Sequence, residues 1–199
     1  MLKRRLFIAL TAALLALPAT AQELSLDQIS AYLNGLQTAT GGFTQINADG
    51  TISTGTIYIK RPGRIRFEYA PPDNSMLIAG GGQVAIFDPR SNTAPERYPL
   101  AQTPLKIILE ANVDLARRDM VTGRTSDGPT TTVTAQDPER PELGSIQLVF
   151  TASPIELRQW IVTDDTGQQT TVILNDLVQG GTIRDILFNI EAEVADWAP

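Results

Sequence analysis

The sequence predicts a mainly β protein of the α+β class, in which an amphipathic helix precedes a long series of short strands. Two patterns predict this class. Apolar residues have helical spacing near the N-terminus and alternate with polar ones after residue 42. Turn signals then recur along the chain, which has 13 prolines and 15 glycines. A length of 199 residues fits one domain with a substantial core.

The first 21 residues have the pattern of a secretory signal peptide. Lys3-Arg4-Arg5 precedes an apolar run over 6–17, and Ala19-Thr20-Ala21 forms a cleavage signal. The run is shorter than the ~20 residues of a membrane span, and a retained anchor is the alternative. We expect cleavage after Ala21, leaving one domain over 22–199 with 13 basic and 22 acidic residues, a net charge of −9.

The composition excludes several kinds of site. The chain has no histidine and no cysteine, so it cannot form a Ser-His-Asp triad, a cysteine nucleophile, a disulfide or an ordinary zinc site. Without cysteine we also expect no lipid anchor on the mature chain. Its acidity argues against nucleic acid as a partner, because phosphates require a basic face.

The N-terminal half is predicted to contain one helix and a meander of strands. Ser25 and Gln28 have capping-box spacing, and the apolar spacing that follows predicts a helix over 26–38, ended by Gly41-Gly42. Strands are predicted at 43–46, 57–59, 64–69, 76–79 and 83–87, with turns between them. Gly80-Gly81-Gly82 is interpreted as a turn and not as a phosphate loop, because it lies between two strands and lacks the P-loop lysine.

A second, short helix interrupts the strands. Thr103 is a suitable N-cap before Pro104, and apolar residues follow to about Asn112, with a continuation near 115–116. Further strands are predicted at 130–135, 145–150, 156–163, 169–174 and 188–190. The nine to eleven strands so predicted form a sheet large enough to curl or close.

Charged residues offer few catalytic candidates. Asp164-Asp165 lies in a predicted hairpin turn and Glu191 with Glu193 near the terminus, so turn chemistry and chain ends explain both carboxylate pairs. In the basic cluster of 60–66, Arg64 and Arg66 are expected on a solvated strand face. Arg61 differs, because at a strand end its guanidinium can reach backbone carbonyls of another element.

Strand residues that could point inward form the other candidate set. Alternation cannot distinguish a filled core, the ordinary outcome, from an empty cavity. The set comprises Ile65, Phe67, Tyr69, Phe87, Leu148, Phe150, Trp160 and Ile173.

Several segments of the sequence together form a recognisable set. The set comprises Phe43-Thr44-Gln45, Ile59-Lys60-Arg61-Pro62-Gly63-Arg64, Phe67-Glu68-Tyr69, Ile78-Ala79-Gly80-Gly81, Phe87-Asp88-Pro89 and Thr103-Pro104-Leu105. In these segments the chain resembles one known family, that of the outer-membrane lipoprotein carriers, LolA. The resemblance covers about residues 26–110, with further similarity around 160–167 and 187–188.

The resemblance implies an unclosed, strongly curved antiparallel β-barrel with a helical lid over an apolar cavity. It implies a monomeric periplasmic carrier that needs no cofactor or metal and is not an enzyme. Such a carrier takes lipoprotein acyl chains from an inner-membrane ABC transporter to an outer-membrane acceptor, or to the membrane itself. The inward strand residues would line the cavity with Leu105, Ile108 and Leu109 of the lid, and Arg61 would latch the lid.

Elementary energetics agree with a carrier. Burying the about 45 methylenes of a triacylated anchor gains ~36 kcal/mol at ~0.8 kcal/mol each, beyond the ~18–21 kcal/mol ceiling of non-covalent affinity. Transfer must therefore run between apolar sites. Two alternatives remain open: an exported sensor of lipids or lipoproteins with the same fold, and a hydrolase that uses carboxylates.

Overall fold

The computed structural model describes residues 23–91, 93–116 and 119–197, so the predicted signal peptide lies outside the described residues. Within these ranges the chain forms three α-helices and eleven strands. Their order is α1 (Leu26–Gly35), β1 (Thr38–Ile46), β2 (Ile52–Lys60), β3 (Arg64–Tyr69), β4 (Met76–Gly80), β5 (Gln83–Phe87), β6 (Glu96–Pro99), α2 (Lys106–Leu109), β7 (Val121–Ser126), β8 (Thr130–Gln136), β9 (Ser145–Ala152), β10 (Ile155–Thr163), β11 (Gln169–Gln179) and α3 (Ile190–Asp196).

All eleven strands belong to one antiparallel sheet with the order β6-β5-β4-β3-β2-β1-β11-β10-β9-β8-β7. The two meanders β1–β6 and β7–β11 are joined by pairing of β1 with β11. The edge strands β6 and β7 do not pair with each other, so the sheet is not closed. The mainly β, unclosed antiparallel architecture predicted from the sequence is confirmed.

The sheet is strongly curved, as one aromatic contact demonstrates. Phe67 on β3 and Trp160 on β10 lie four strand spacings apart, about 19 Å across a flat sheet at ~4.8 Å per step. Their ring centroids are 6.2 Å apart. The two halves of the sheet therefore face each other and enclose an inner face.

Helix α1 and the connection between β6 and β7 cover this inner face. Ser25 and Gln28 form the predicted capping box at the start of α1, and Ile29 and Leu33 pack inward. We call residues 100–116 the crossover segment; its apolar residues Ile107, Ile108, Leu109 and Leu115 join the same core. Within the described residues no helix combines the length and apolarity that crossing a bilayer requires.

The outer face of β4 and β5 carries a second, smaller core. Met76, Ile78, Ala85 and Phe87 pack there against Ile190 of α3, and Val194 and Trp197 pack against this cluster. The rings of Phe87 and Trp197 are 5.2 Å apart. The C-terminal residues thus cover the outside of the strands whose other side faces the interior.

The N-terminal helix is shorter than the sequence predicts. α1 ends at Gly35, and Gly41 and Gly42 lie within β1, where the pairing with β11 shifts register after Thr40. A Cβ atom on Gly41 would lie 2.9 Å from the Asn175 carbonyl oxygen. The pair of glycines thus permits a close strand contact and does not end a helix.

The second helix and the last strand also differ from prediction. α2 is one turn, residues 115–116 form a turn, and the Thr103 hydroxyl donates to the Leu100 carbonyl (2.9 Å) and caps no helix. The predicted strand at 188–190 is instead the junction between a 3-10 turn and α3. There the Asn189 side chain accepts from the backbone N–H of Ala192 (3.1 Å) and caps α3.

Candidate functional site

A pocket of about 710 Å³ lies between the inner face of the sheet and residues 102–105 of the crossover segment. It occupies the end of the sheet where β1, β3, β5 and β10 finish. This volume is in the range of small-molecule sites. The interior is therefore packed at one end and open at the other.

The wall of the pocket is largely apolar. Aromatic rings of Phe67, Tyr69 and Trp160 form one part of it. Phe43 packs behind them, with its ring centroid 5.1 Å from those of Phe67 and Tyr69. Aliphatic and further aromatic lining comes from Leu77, Val84, Ile86, Tyr98, Leu105, Leu143, Val162 and Val172. Such a wall suits a flexible apolar ligand, which contacts it without directional bonds.

The aromatic part of the wall includes one half-buried hydroxyl. The Tyr69 hydroxyl donates to the side-chain oxygen of Gln45 (2.8 Å), and burial raises the pKa of Tyr69 to about 12. The phenol is therefore neutral at physiological pH. It adds a hydrogen-bonding group to the wall without adding a charge.

The predicted cavity residues fall into three groups. Phe67, Tyr69, Leu105 and Trp160 line the pocket. A second group is buried in the inner core, outside the pocket lining; it comprises Ile65, Ile108, Leu109, Leu148 and Phe150. Near Phe150, Tyr32 of α1 stacks edge-on at 5.7 Å and fills that end.

Phe87 and Ile173 form the third group and correct the prediction. Phe87 lies in the outer core, opposite Met76. Ile173 is half-buried between two buried neighbours of the inner core, Val172 and Leu174, and so lies on the other face. Both strands are apolar at consecutive positions, so alternation does not identify the inward face. Val84, Ile86 and Val172 were missed for the same reason.

Arg61 lies at the end of the sheet opposite the pocket mouth. It is 4% exposed, and its Nη2 donates to the Glu110 carbonyl just after α2 and lies 3.5 Å from Asn34 Oδ1. Its Nε and Nη1 make no hydrogen bond to the described residues. Burial lowers the pKa of the Arg61 guanidinium, and the negative charge of Glu110 offsets part of this effect by raising it.

Other bonds join the same three elements around Arg61. The backbone N–H of Gly63 donates to the Leu109 carbonyl (2.8 Å). The Asn34 amide of α1 donates to the Val113 carbonyl (2.8 Å) and accepts from the Val113 N–H (2.9 Å). The β2–β3 turn, α1 and the crossover segment therefore meet at one hydrogen-bonded junction.

Arg64 and Arg66 do not form the solvated face that the sequence suggests. Arg66 is 7% exposed and pairs with Glu68 and Glu193, each at 2.7 Å. Arg64 and Lys60 both pair with Asp185 at 2.6 Å. The partners Asp185 and Glu193 lie more than a hundred residues away in the sequence. They belong to residues 185–197, which we call the C-terminal segment.

In each of the two carboxylate pairs, at least one member has a structural partner. Asp164 accepts from the N–H and hydroxyl of Thr166 and from the N–H of Gln168, and these bonds hold its pKa below the ordinary value. Glu191 pairs with Arg97, which lowers the pKa of Glu191. A general acid needs its pKa raised toward neutrality. Neither group fits that role, so the geometry gives the hydrolase alternative no support.

The fold and pocket define a class: mainly β proteins in which an open, curved antiparallel sheet encloses an apolar pocket. The comparisons with known proteins are more specific. The family model described as outer membrane lipoprotein carrier protein LolA matches residues 34–191, so the chain belongs to this family.

Curated relatives with the same name agree. An outer-membrane lipoprotein carrier protein of Chromohalobacter salexigens is 27% identical over 190 residues, which cover 90% of this chain and 89% of that protein. That of Cupriavidus necator is 30% identical over 141 residues, 64% of this chain and 66% of its own length. A crystal structure of a LolA superfamily protein from Nitrosomonas europaea covers 83% of this chain and 98% of its own, at 11% identity and a TM-score of 0.45.

Proposed function

We propose that this protein is a periplasmic carrier that binds the acyl chains of lipoproteins in its apolar pocket. In this proposal it moves them from the inner to the outer membrane and catalyses no reaction. The observation that supports the proposal most directly is the pocket of about 710 Å³ with its lining of aromatic and aliphatic side chains. Family membership supports a role in lipoprotein localisation.

The size of the pocket bears on how a ligand enters. At about 30 Å³ per water-sized group, 710 Å³ holds roughly 24 methylenes. A triacylated anchor of about 45 methylenes is nearly twice as large. In this proposal the crossover segment moves to admit the remaining chains, and the junction around Arg61 acts as its latch. The latch role of Arg61 stays part of the proposal.

The proposed partners follow from the chemistry of the cargo. A lipoprotein released into water would expose its acyl chains, and the free-energy cost of that exposure exceeds the free energy of any ordinary protein contact. It therefore needs a carrier in order to cross the periplasm. The donor would be an inner-membrane ABC transporter that releases lipoproteins. The receiver would be an outer-membrane acceptor or the membrane itself. We propose that the carrier acts as a monomer after cleavage of residues 1–21.

A matched pair of substitutions tests the pocket. Ile86→Lys places a charge in the lining, whereas Ile52→Lys changes an isoleucine that is 66% exposed. We expect wild type and Ile52→Lys to bind a fluorescent fatty acid saturably, with displacement by a lipopeptide. Ile86→Lys should weaken this binding at least tenfold. Equal binding by all three proteins would contradict the proposal.

A transfer assay separates a carrier from a sensor. Purified protein loaded with a triacylated lipoprotein is mixed with vesicles that contain an acceptor, and delivery is followed by flotation. A carrier delivers the cargo to the vesicles. A sensor of the same fold binds the cargo and retains it.

A further inference from the structure

The turns at the mouth of the pocket carry four acidic residues. Asp73 follows β3, Asp88 follows β5, and Asp164 and Asp165 form the turn between β10 and β11. We call these four residues the acidic rim. All four line the pocket, and among the described lining residues Arg90 is the only cation, which leaves a formal charge of −3.

Local bonds hold two of the rim carboxylates, Asp88 and Asp164, in the charged form. Asp88 accepts from the backbone and side chain of Arg90, and these bonds lower its pKa. The bonds within its turn do the same for Asp164. Asp73 accepts hydrogen bonds from the hydroxyls of Ser53 and Ser75. Asp88 and Asp164 are thus fixed negative charges at the mouth of the pocket at neutral pH.

Cations near the crossover segment and on β2 and β3 are engaged elsewhere. Lys106 and Arg140, near the crossover segment, both pair with Asp137. Lys60, Arg64 and Arg66 hold the C-terminal segment. A cleft that combines apolar walls with one sign of charge focuses its field on a ligand at the opening.

We propose that the acidic rim selects ligands by the charge of their polar part: it accepts acyl chains attached to a neutral or cationic peptide and disfavours chains attached to an anionic headgroup. The inference rests on the proposed function and adds the class of ligand that the pocket takes. The acyl chains supply affinity in either case, since the apolar wall does not distinguish them. The rim then separates an acylated peptide from an anionic phospholipid of the surrounding membranes.

Three probes that share one palmitoyl chain and carry headgroups of different charge test this inference; the glutamine and glutamate headgroups have the same shape. They are N-palmitoyl-lysine amide, N-palmitoyl-glutamine amide and N-palmitoyl-glutamate amide, measured by displacement of a fluorescent fatty acid. At low salt we expect the cationic probe to bind roughly tenfold more tightly than the anionic one, about 1.4 kcal/mol. The difference should vanish toward ~1 M salt, where screening extends to ~3 Å.

Variants assign the effect to the rim. Asp88→Asn with Asp165→Asn should remove most of the discrimination, whereas Arg90→Gln should increase it. Asp176→Asn is the charge-matched control. Asp176 is exposed and absent from the pocket lining, and its φ of 48° is one that asparagine tolerates.

The outcomes are distinct. Equal affinity for the three probes, or an equal effect of Asp176→Asn, overturns the selectivity and leaves the proposed function intact. No binding of any probe by folded protein overturns both.

Discussion

At the residue scale, Arg61 combines deep burial with incomplete hydrogen bonding. A guanidinium that is 4% exposed and has two nitrogens without a hydrogen-bond partner in the described part of the chain is costly to bury. The hydrogen bond from Arg61 to the Glu110 carbonyl offsets part of this cost, and it connects the β2–β3 turn to the crossover segment. This arrangement suits a contact that is made in one state of the protein and broken in another.

Replacement of Arg61 by leucine tests that idea. A hydrogen bond from a charged donor contributes about 1.5–3 kcal/mol, so its loss should favour the open state roughly 10- to 100-fold. We expect Arg61→Leu to fold and to take up cargo, but to release it poorly, because closure no longer competes with bound chains. A two-step assay of uptake and onward transfer measures this. Arg158→Leu, on an exposed ion pair, is the control, and similar transfer by both variants would refute the latch.

Gly55 shows how one residue shapes the aromatic wall. It lies between Phe43 and Tyr69 in the strand register, and the two rings meet above it at 5.1 Å. A Cβ atom there would lie 2.0 Å from the Glu68 carbonyl oxygen and 2.7 Å from the Phe43 ring. The absence of a side chain is therefore a packing requirement.

Gly55→Ala is expected to destabilise the fold by about 1–3 kcal/mol through overpacking. Gly123→Ala is the matched strand control, because the nearest atom to an added Cβ is an ordinary 3.6 Å away. Urea unfolding followed by circular dichroism measures both. A Gly55→Ala protein as stable as Gly123→Ala would show that the strands move apart without cost.

At the element scale, the C-terminal segment is held on the outside of the sheet by matched charges. Asp185, Glu191 and Glu193 supply the carboxylates. Gly80 lets the backbone of Phe188 approach, since a Cβ there would lie 2.1 Å from the Phe188 carbonyl oxygen. The inner faces of the strands that this segment covers carry Leu77, Val84 and Ile86 of the pocket wall. The segment therefore braces one wall of the pocket from behind.

These ion pairs make the docking of the segment dependent on pH. Lys60 and Arg64 lower the pKa of Asp185, and Arg97 lowers that of Glu191. A carboxyl whose pKa is depressed in the folded state adds stability above its unfolded pKa and loses it as pH falls through the folded value. We therefore expect residues 185–197 to exchange amide hydrogens faster, after correction for intrinsic rates, once pH falls below the ordinary carboxyl range of about 4.

Glu193→Gln weakens the same docking at neutral pH, because it leaves the buried Arg66 with one carboxylate fewer. Glu156→Gln, in an ion pair that is about half exposed on both sides, serves as control and should have little effect. Unchanged exchange of residues 185–197 in Glu193→Gln, or loss of protection in strands remote from it, would contradict the bracing role.

At the scale of the whole molecule, the charged groups are separated along the sheet. At the β2–β3 end, Lys60, Arg64 and Arg66 are paired with carboxylates, whereas the acidic rim lines the pocket at the other end.

If residues 1–21 are a signal peptide, N-terminal sequencing of protein exported from cells should begin at Gln22. A start at Met1 would contradict export by cleavage. A mixed start would indicate incomplete processing.

Local patterns were sufficient for those parts of the fold in which one face is polar. In β3, Ile65, Phe67 and Tyr69 alternate with charged residues, so the sequence alone identified their common inward face. The capping box at Ser25 likewise depends on residues three positions apart. The sequence did not predict the edge strands β6 and β7, because neither shows clear alternation of polar and apolar residues. Each is defined by pairing with a single neighbouring strand.

Only the tertiary structure decided which faces line the pocket and which charges are paired. Stretches such as 84–87 and 172–174 are apolar at both parities, so their inward side depends on register with neighbouring strands. Arg66 pairs with Glu193, which lies 127 residues further along the chain. No local sequence pattern indicates a contact at that separation. The volume of the pocket depends on sheet curvature and on how far α1 and the crossover segment fill the interior, and both arise from contacts between elements.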